Sequence, residues 1–187
     1  MSVEALLDES VLAARAKVDP SAFADIYDHY FPRVYNYVRY RVRDADAADD
    51  ITAEIFERAL INVGDYRPER ASFANWLFAI ARNAVRDHIR GRKRRRLIPL
   101  ETLSDQPSPD PQPDEVAIRS DAHKRLQAAV ASLNDREQEL IALKFAAGLT
   151  NRSIAKLCGL SESNVAVILY RAVGRVRSRL CDTEEDL

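Results

Sequence analysis

Proline placement limits this chain more than any other feature of its sequence. Five of the eight prolines fall at positions 99, 107, 109, 111 and 113, within LIPLETLSDQPSPDPQPDE. Each removes an amide donor and pushes the preceding residue out of helical geometry, so the stretch cannot continue a helix. It also has few apolar groups from which to build a core. The 187 residues therefore divide into two modules, 1–96 and 117–187, joined by a proline-rich acidic linker at 97–116. Only five glycines, set against many Ala, Leu, Ile, Arg and Glu residues, favour helices in both modules. The expected fold is all-α, with two small helical domains.

In the first module Asp19-Pro20-Ser21 is a helix-start signal. From Phe23 to Val38 the apolar residues recur at the three-and-four spacing of an amphipathic helix. A second helix is expected from about Ala47 to Ile61, with Ile51, Ile55, Ala59 and Leu60 on its apolar stripe and Asp49, Asp50, Glu54, Glu57 and Arg58 largely off it. A third starts near Ser72 and buries Phe73, Trp76, Leu77, Ile80, Ala84 and Ile89. Arg82, Arg86 and Arg90, spaced by four, line one side of it and lead into the basic run RGRKRRR.

In the second module a helix is expected from about Glu115 to Leu133. Asn134-Asp135-Arg136-Glu137 then offers a capping box, with Asn134 as cap and Glu137 reaching back. The helix it starts runs through Leu140, Ile141, Leu143 and Lys144 and ends near Gly148. Thr150 caps a short helix, Gly159 makes a turn, and Ser161 caps a longer helix carrying Val165, Ile168, Leu169, Ala172, Val173, Val176 and Leu180. This is a helix-turn-helix pattern. A reading helix presents short polar or methyl groups at its N-terminal end, where base edges lie, and cations further along, near phosphates. Ser161, Glu162, Ser163, Asn164 and Val167 come first here, and Arg171, Arg175, Arg177 and Arg179 follow.

Charge patterning supports a polyanionic partner. The formal net charge is −1, yet residues 1–96 hold 17 basic and 15 acidic side chains, and residues 97–120 hold 1 and 5. Residues 121–187 hold 10 and 9, four of the acids lying in the tail DTEEDL. The arginine row beside Tyr66, Phe73 and Trp76 suits unpaired nucleic-acid strands, whose bases stack on rings. A nuclear localisation signal is the other chemical reading of the basic run. Core packing is the other reading of Trp76, and an ordinary solvated face the other reading of Asp49, Asp50 and Glu54. No Ser–His, Cys–His or paired-carboxylate pattern surrounds His29, His88 or His123, and Cys158 and Cys181 lack metal-ligand spacing. An enzyme, a metal site and a cofactor are thus not expected. Neither a secretory leader nor a membrane-spanning run is present, which points to the cytoplasm and against membrane insertion.

DADAADDITAEIFERAL, then FANWLFAIARNAVRDHIRGRKRR, the proline-rich spacer, and LNDREQELIALKFAAGLTNRSIAKLCGLSESNVAVILYRAVGRVRSRL together resemble the bacterial extracytoplasmic-function (ECF) sigma factors. The resemblance covers nearly the whole chain. It implies a region 2-like bundle and a region 4-like helix-turn-helix. Such a protein binds RNA polymerase core enzyme, at the β′ clamp helices and the β flap, and directs it to promoter DNA; an anti-sigma factor commonly holds it inactive. Core binding would fall to Asp49, Asp50, Glu54, Phe56 and Arg58. Recognition and melting of the −10 element would fall to Tyr66, Arg67, Ser72, Phe73, Asn75, Trp76, Arg82, Asn83, Arg86 and Arg90. Reading of the −35 element would fall to Arg152, Ser161, Glu162, Ser163, Asn164, Val167, Arg171 and Arg175. The sequence departs from the family at Ala53, commonly Gln, at Ser153, commonly an acid, and at Ala166 and Val167, where polar or basic residues are usual. Thymine methyl contacts or DNA shape would then carry more of the recognition. A helix-turn-helix regulator that never engages polymerase is the alternative.

Overall fold

The computed structural model describes residues 3–97 and 125–182. The linker beyond Leu97, the beginning of the helix expected from Glu115, and the acidic tail beyond Asp182 lie outside the described residues. The chain divides into two compact units, Met1–Leu100 with Ala146–Gly148, and Glu101–Phe145 with Leu149–Leu187. All regular structure among the described residues is helical.

The first unit contains α1 (Val3–Ala16), α2 (Phe23–Val42), α3 (Ala45–Asn62) and α4 (Phe73–Leu97), with short 3-10 turns at Pro20–Ala22 and Val63–Asp65. α1 was not among the expected elements. Asp19 starts the chain into α2 by accepting from the Ser21 amide at 2.9 Å and the Ser21 hydroxyl at 2.7 Å. At the other end of α2, Arg43 takes a left-handed conformation (φ 60°), and its amide bonds to the Arg39 carbonyl at 3.1 Å. Asp44 then caps α3 by accepting from the Ala47 amide at 3.1 Å, so the helix begins two residues before the expected Ala47.

α2 supplies the centre of this unit, burying Phe23, Ile26, Tyr30, Val34, Tyr37, Val38 and Val42, and packing against α1, α3 and α4. Aromatic rings fill the seam: Tyr37 meets Phe78 edge-on at 5.9 Å, and Tyr30 meets Phe73 at 5.5 Å. The Arg33 guanidinium lies 5.2 Å from the Tyr30 ring and 5.7 Å from the Phe78 ring. Two apolar stripes differ from expectation. Leu60 on α3 is exposed, because the buried face runs through Ala48, Ile51, Thr52, Ile55 and Ala59, and Leu60 is a 100° step past Ala59. On α4 the buried face includes Ala74, Phe78, Ala81 and Val85, while Trp76, Ile80 and Ile89 are only half-buried.

The second unit contains a helix over residues 125–131 (α5), then α6 (Asp135–Ile141), α7 (Asn151–Cys158) and α8 (Glu162–Asp182). Its local signals form as the sequence predicts. Asn134 accepts from the Glu137 amide at 3.0 Å and Glu137 accepts from the Asn134 amide at 3.3 Å, completing the capping box. α6 runs into a π-helical turn over Ala142–Ala146, and Gly148 reverses the chain at φ 67°. Thr150 caps α7 through the Ser153 amide at 3.1 Å. Gly159 closes α7 at φ 67°, and Ser161 caps α8 through the Asn164 amide at 3.2 Å. Ile154, Ala155, Val165, Leu169 and Ala172 join Leu140, Leu143 and Leu149 in the core.

Glu137 has a second partner that sequence spacing does not reveal. Its Oε1 pairs with the guanidinium of Arg175, 38 residues along the chain on α8. One buried carboxylate thus ties the start of α6 to the middle of α8. We predict that Arg175→Met, which leaves that carboxylate buried without its cation, destabilises the protein by about 1–3 kcal/mol. In urea unfolding of the full chain, Glu137→Gln combined with Arg175→Met should cost clearly less than the sum of the single changes. Strict additivity would remove the coupling.

Candidate nucleic-acid interface

The outward face of the helix-turn-helix follows from what its core consumes. Val165, Leu169 and Ala172 point inward along α8. Ser161, Glu162, Ser163, Asn164, Val167 and Arg171 are consequently exposed. Ser161 and Ser163 hydroxyls lie 3.1 Å apart at the helix start. Arg152 on α7 places its Nε 3.4 Å from Glu162 Oε2, an exposed pair that bridges the two helices of the motif. Arg175 has a partner that the sequence did not indicate: its guanidinium is engaged with Glu137 while its side chain stays 55% exposed. Val173, expected in the core, is exposed at 43%.

Tyr170 is the residue the sequence reading missed. It is 83% exposed, one turn after Val167, and adjacent to Arg171. The signal was available, since a helix that buries positions 165, 169 and 172 must turn position 170 outward. Asn164, Val167, Tyr170 and Arg171 share the three-and-four spacing of one face.

In the first unit, the segment between α3 and α4 folds over its own aromatic anchor. Tyr66 is 3% exposed and Phe73 1%, so both are core residues and not the open stacking surface expected of them. The Tyr66 ring packs at 5.2 Å from Phe73 and 5.6 Å from Trp76, and Trp76 lies 5.2 Å from Phe73. Trp76 is half-buried. The Tyr66 hydroxyl donates to the Ala71 carbonyl at 3.1 Å. Burial, with Glu9 and Glu69 nearby, raises that hydroxyl's pKa, which keeps the donor proton in place. Arg67 reaches back to the carbonyls of Gly64 at 2.8 Å and Tyr66 at 3.2 Å. Ser72 accepts from the Asn75 amide at 3.3 Å at the start of α4, and Asn75 is buried with its Oδ1 unpartnered. Arg67 and Glu69 remain exposed beyond this anchor.

Further along α4, Arg82 and Arg86 are half-buried and Asn83 and Arg90 exposed; Arg90 lies 3.9 Å from Asp87. On α3, Asp49 and Asp50 are exposed, and Glu54 pairs with Arg58 one turn on. Phe56 is 4% exposed and therefore does not present itself as a direct docking contact. It supports an aromatic cluster with Tyr27 at 4.7 Å and Phe31 at 6.2 Å, and Phe31 stacks on Tyr35 at 5.6 Å. Tyr27, Leu60 and Ile61 bring apolar surface out beside these helices, which sequence periodicity had not indicated. No group of three or more metal-binding side chains occurs among the described residues, and none of their helices is long and apolar enough to cross a membrane.

Comparison with known proteins matches both units. The sigma-70 region 2 family model covers residues 26–95, and the sigma-70 region 4 model covers residues 123–176. The ECF RNA polymerase sigma factor RpoE of Cereibacter sphaeroides is 30% identical over 174 residues, covering 90% of this chain and 91% of that protein. BldN of Streptomyces coelicolor is 34% identical over 170 residues, 90% of this chain but only 64% of BldN. SigD of Mycobacterium tuberculosis is 28% identical over 176 residues, 92% of this chain and 83% of SigD. Among solved structures, CnrH in complex with the cytosolic domain of CnrY shares the fold, with a TM-score of 0.71 at 22% identity over 93% of this chain and 97% of CnrH. With its acidic and basic helices in one unit and a capped helix-turn-helix in the other, the chain belongs to the ECF RNA polymerase sigma factors.

Proposed function

We propose that this sigma factor joins RNA polymerase core enzyme in the cytoplasm and sets where transcription starts. The observation that carries this reading is the pairing, in one chain, of an exposed acidic helix with a helix-turn-helix whose reading face is exposed. α8 enters the major groove of the upstream −35 element. Ser163 and Asn164 meet base edges, Val167 and Tyr170 give apolar contact to thymine methyls, and Arg171 neutralises phosphate. The first unit docks on the β′ clamp helices through Asp49, Asp50, Glu54 and Arg58, and the second meets the β flap. Arg82, Asn83, Arg86 and Arg90 hold DNA near the −10 element, while the segment from Arg67 to Ser72 takes an unpaired base and Trp76 offers its accessible edge. Tyr66, Phe73 and Phe56 act beneath these surfaces as packing supports. The polymerase performs all bond chemistry and the chain acts by binding alone. An anti-sigma factor covering Tyr27, Leu60, Ile61 and the acidic helix would block the same docking.

In vitro transcription with core polymerase and a genomic fragment library tests this directly. Start-site-specific RNA should require the chain, and its absence with a folded chain would refute the reading. Asp50→Arg with Glu54→Arg should weaken association with core polymerase about tenfold or more, through like-charge juxtaposition. Duplex binding by the full chain should be unchanged; unchanged association would instead favour a DNA-binding regulator that never meets polymerase. Arg171→Ala should reduce the salt slope of promoter binding by about one. Arg175→Met should leave that slope intact, and a shared drop would return Arg175 to the phosphates.

A further inference from the structure

Lys17 follows α1 directly, and its amide bonds to the Ala13 carbonyl at 3.3 Å. Its side chain crosses to the segment between α3 and α4, where Nζ donates to the Tyr66 carbonyl at 2.6 Å, a partner 49 residues away. The same ammonium lies 5.7 Å from the Tyr66 ring centroid. Among the described residues, the other hydrogen bonds of Tyr66 stay within its own segment: its amide to Val63 at 3.2 Å, its hydroxyl to Ala71 at 3.1 Å, and the Arg67 guanidinium to its carbonyl at 3.2 Å. Lys17 thus fastens this turn to the end of α1, a helix whose Glu9 also lies near the Tyr66 hydroxyl. The turn then displays Arg67, Glu69 and Arg70 outward, with Arg70 closing on the Arg67 carbonyl at 3.0 Å.

We propose that α1 belongs to the strand-capturing apparatus, with Lys17 as a positioning residue that holds the Tyr66–Ala71 turn in the shape that receives unpaired DNA. This rests on the reading of that turn given above. Lys17 meets backbone and ring, so what it supplies is geometry. A charge-assisted bond from an ammonium to a carbonyl is strong enough that its loss should loosen the turn about tenfold.

Two measurements on the full chain separate this proposal from the reading beneath it. In hydrogen exchange of the free protein, Lys17→Ala should speed the Tyr66, Arg70 and Ala71 amides about tenfold, leave α2 and α3 unchanged, and be largely restored by Lys17→Arg. In the polymerase holoenzyme, Lys17→Ala should weaken binding of a single-stranded non-template oligonucleotide, taken from a start site recovered by transcription, by about fivefold to tenfold. Association with core polymerase and binding of upstream duplex should stay at wild-type levels, which general loss of folding would not allow. Unchanged exchange, or faster exchange with undiminished strand binding, overturns the positioning role. Failure of the wild-type holoenzyme to bind the strand overturns the capture reading itself.

Discussion

A helix buries one stripe of its circumference, and in units this small each working helix is also a core helix. That double duty organises the whole protein. α8 must give Val165, Leu169 and Ala172 to the core, and Asn164, Val167, Tyr170 and Arg171 are therefore turned outward together. α3 gives Ala48, Ile51, Ile55 and Ala59, which leaves Asp49, Asp50 and Glu57 on the far side. The outward faces are what core packing leaves over, so any substitution that rotates a helix changes what it presents as well as stability.

The most legible features were those set by neighbours in sequence. The Asn134–Glu137 box, the Thr150 and Ser161 caps and the Gly159 turn each depend on groups within three or four residues, and such geometry is nearly context-free. What could not be read involved partners far apart. Glu137 finds Arg175 across 38 positions, and Lys17 finds Tyr66 across 49. The aromatic residues of the segment between α3 and α4 were illegible for a related reason. A ring beside a basic row suits either base stacking or core, and only the approach of α2, with Tyr30 against Phe73, decides for core. On α4 the sequence offers apolar residues on more than one face, so periodicity alone left the orientation of Phe78, Ala81 and Val85 against Ile80 and Ile89 unsettled. α1 carries no strong start or stop signal, and it is defined by what it packs against, mainly α2.

Buried polar groups in both units sit where shape has to be held. Glu137 is 7% exposed and joins a helix cap to the reading helix, while Asn75, at the first turn of α4, and Glu9, on α1, lie near the Tyr66 anchor. Replacing a buried ion pair as a whole by apolar residues often costs little stability, whereas removing one partner is costly, so a pair such as Glu137–Arg175 penalises arrangements that separate its two helices. For a reading helix that constraint is stringent. Base discrimination comes from bidentate or methyl contacts worth about 1–3 kcal/mol each, and these survive only if the helix axis is fixed to a fraction of an ångström.

Segregated charge serves a similar end. α3 and α4 pack against each other, yet one turns carboxylates outward, while the other carries Arg82 and Arg86 half-buried and Arg90 exposed. A single unit that carries the two signs on separate helices can discriminate between cationic and anionic surfaces, because the wrong pairing juxtaposes like charges. The second unit is a separate helix-turn-helix in the same chain. Two contacts made by one chain gain an effective concentration that neither has alone, provided both sites lie within reach. Promoter choice in such a chain depends on upstream and downstream elements occurring at a spacing that polymerase can span, which neither reading surface specifies by itself.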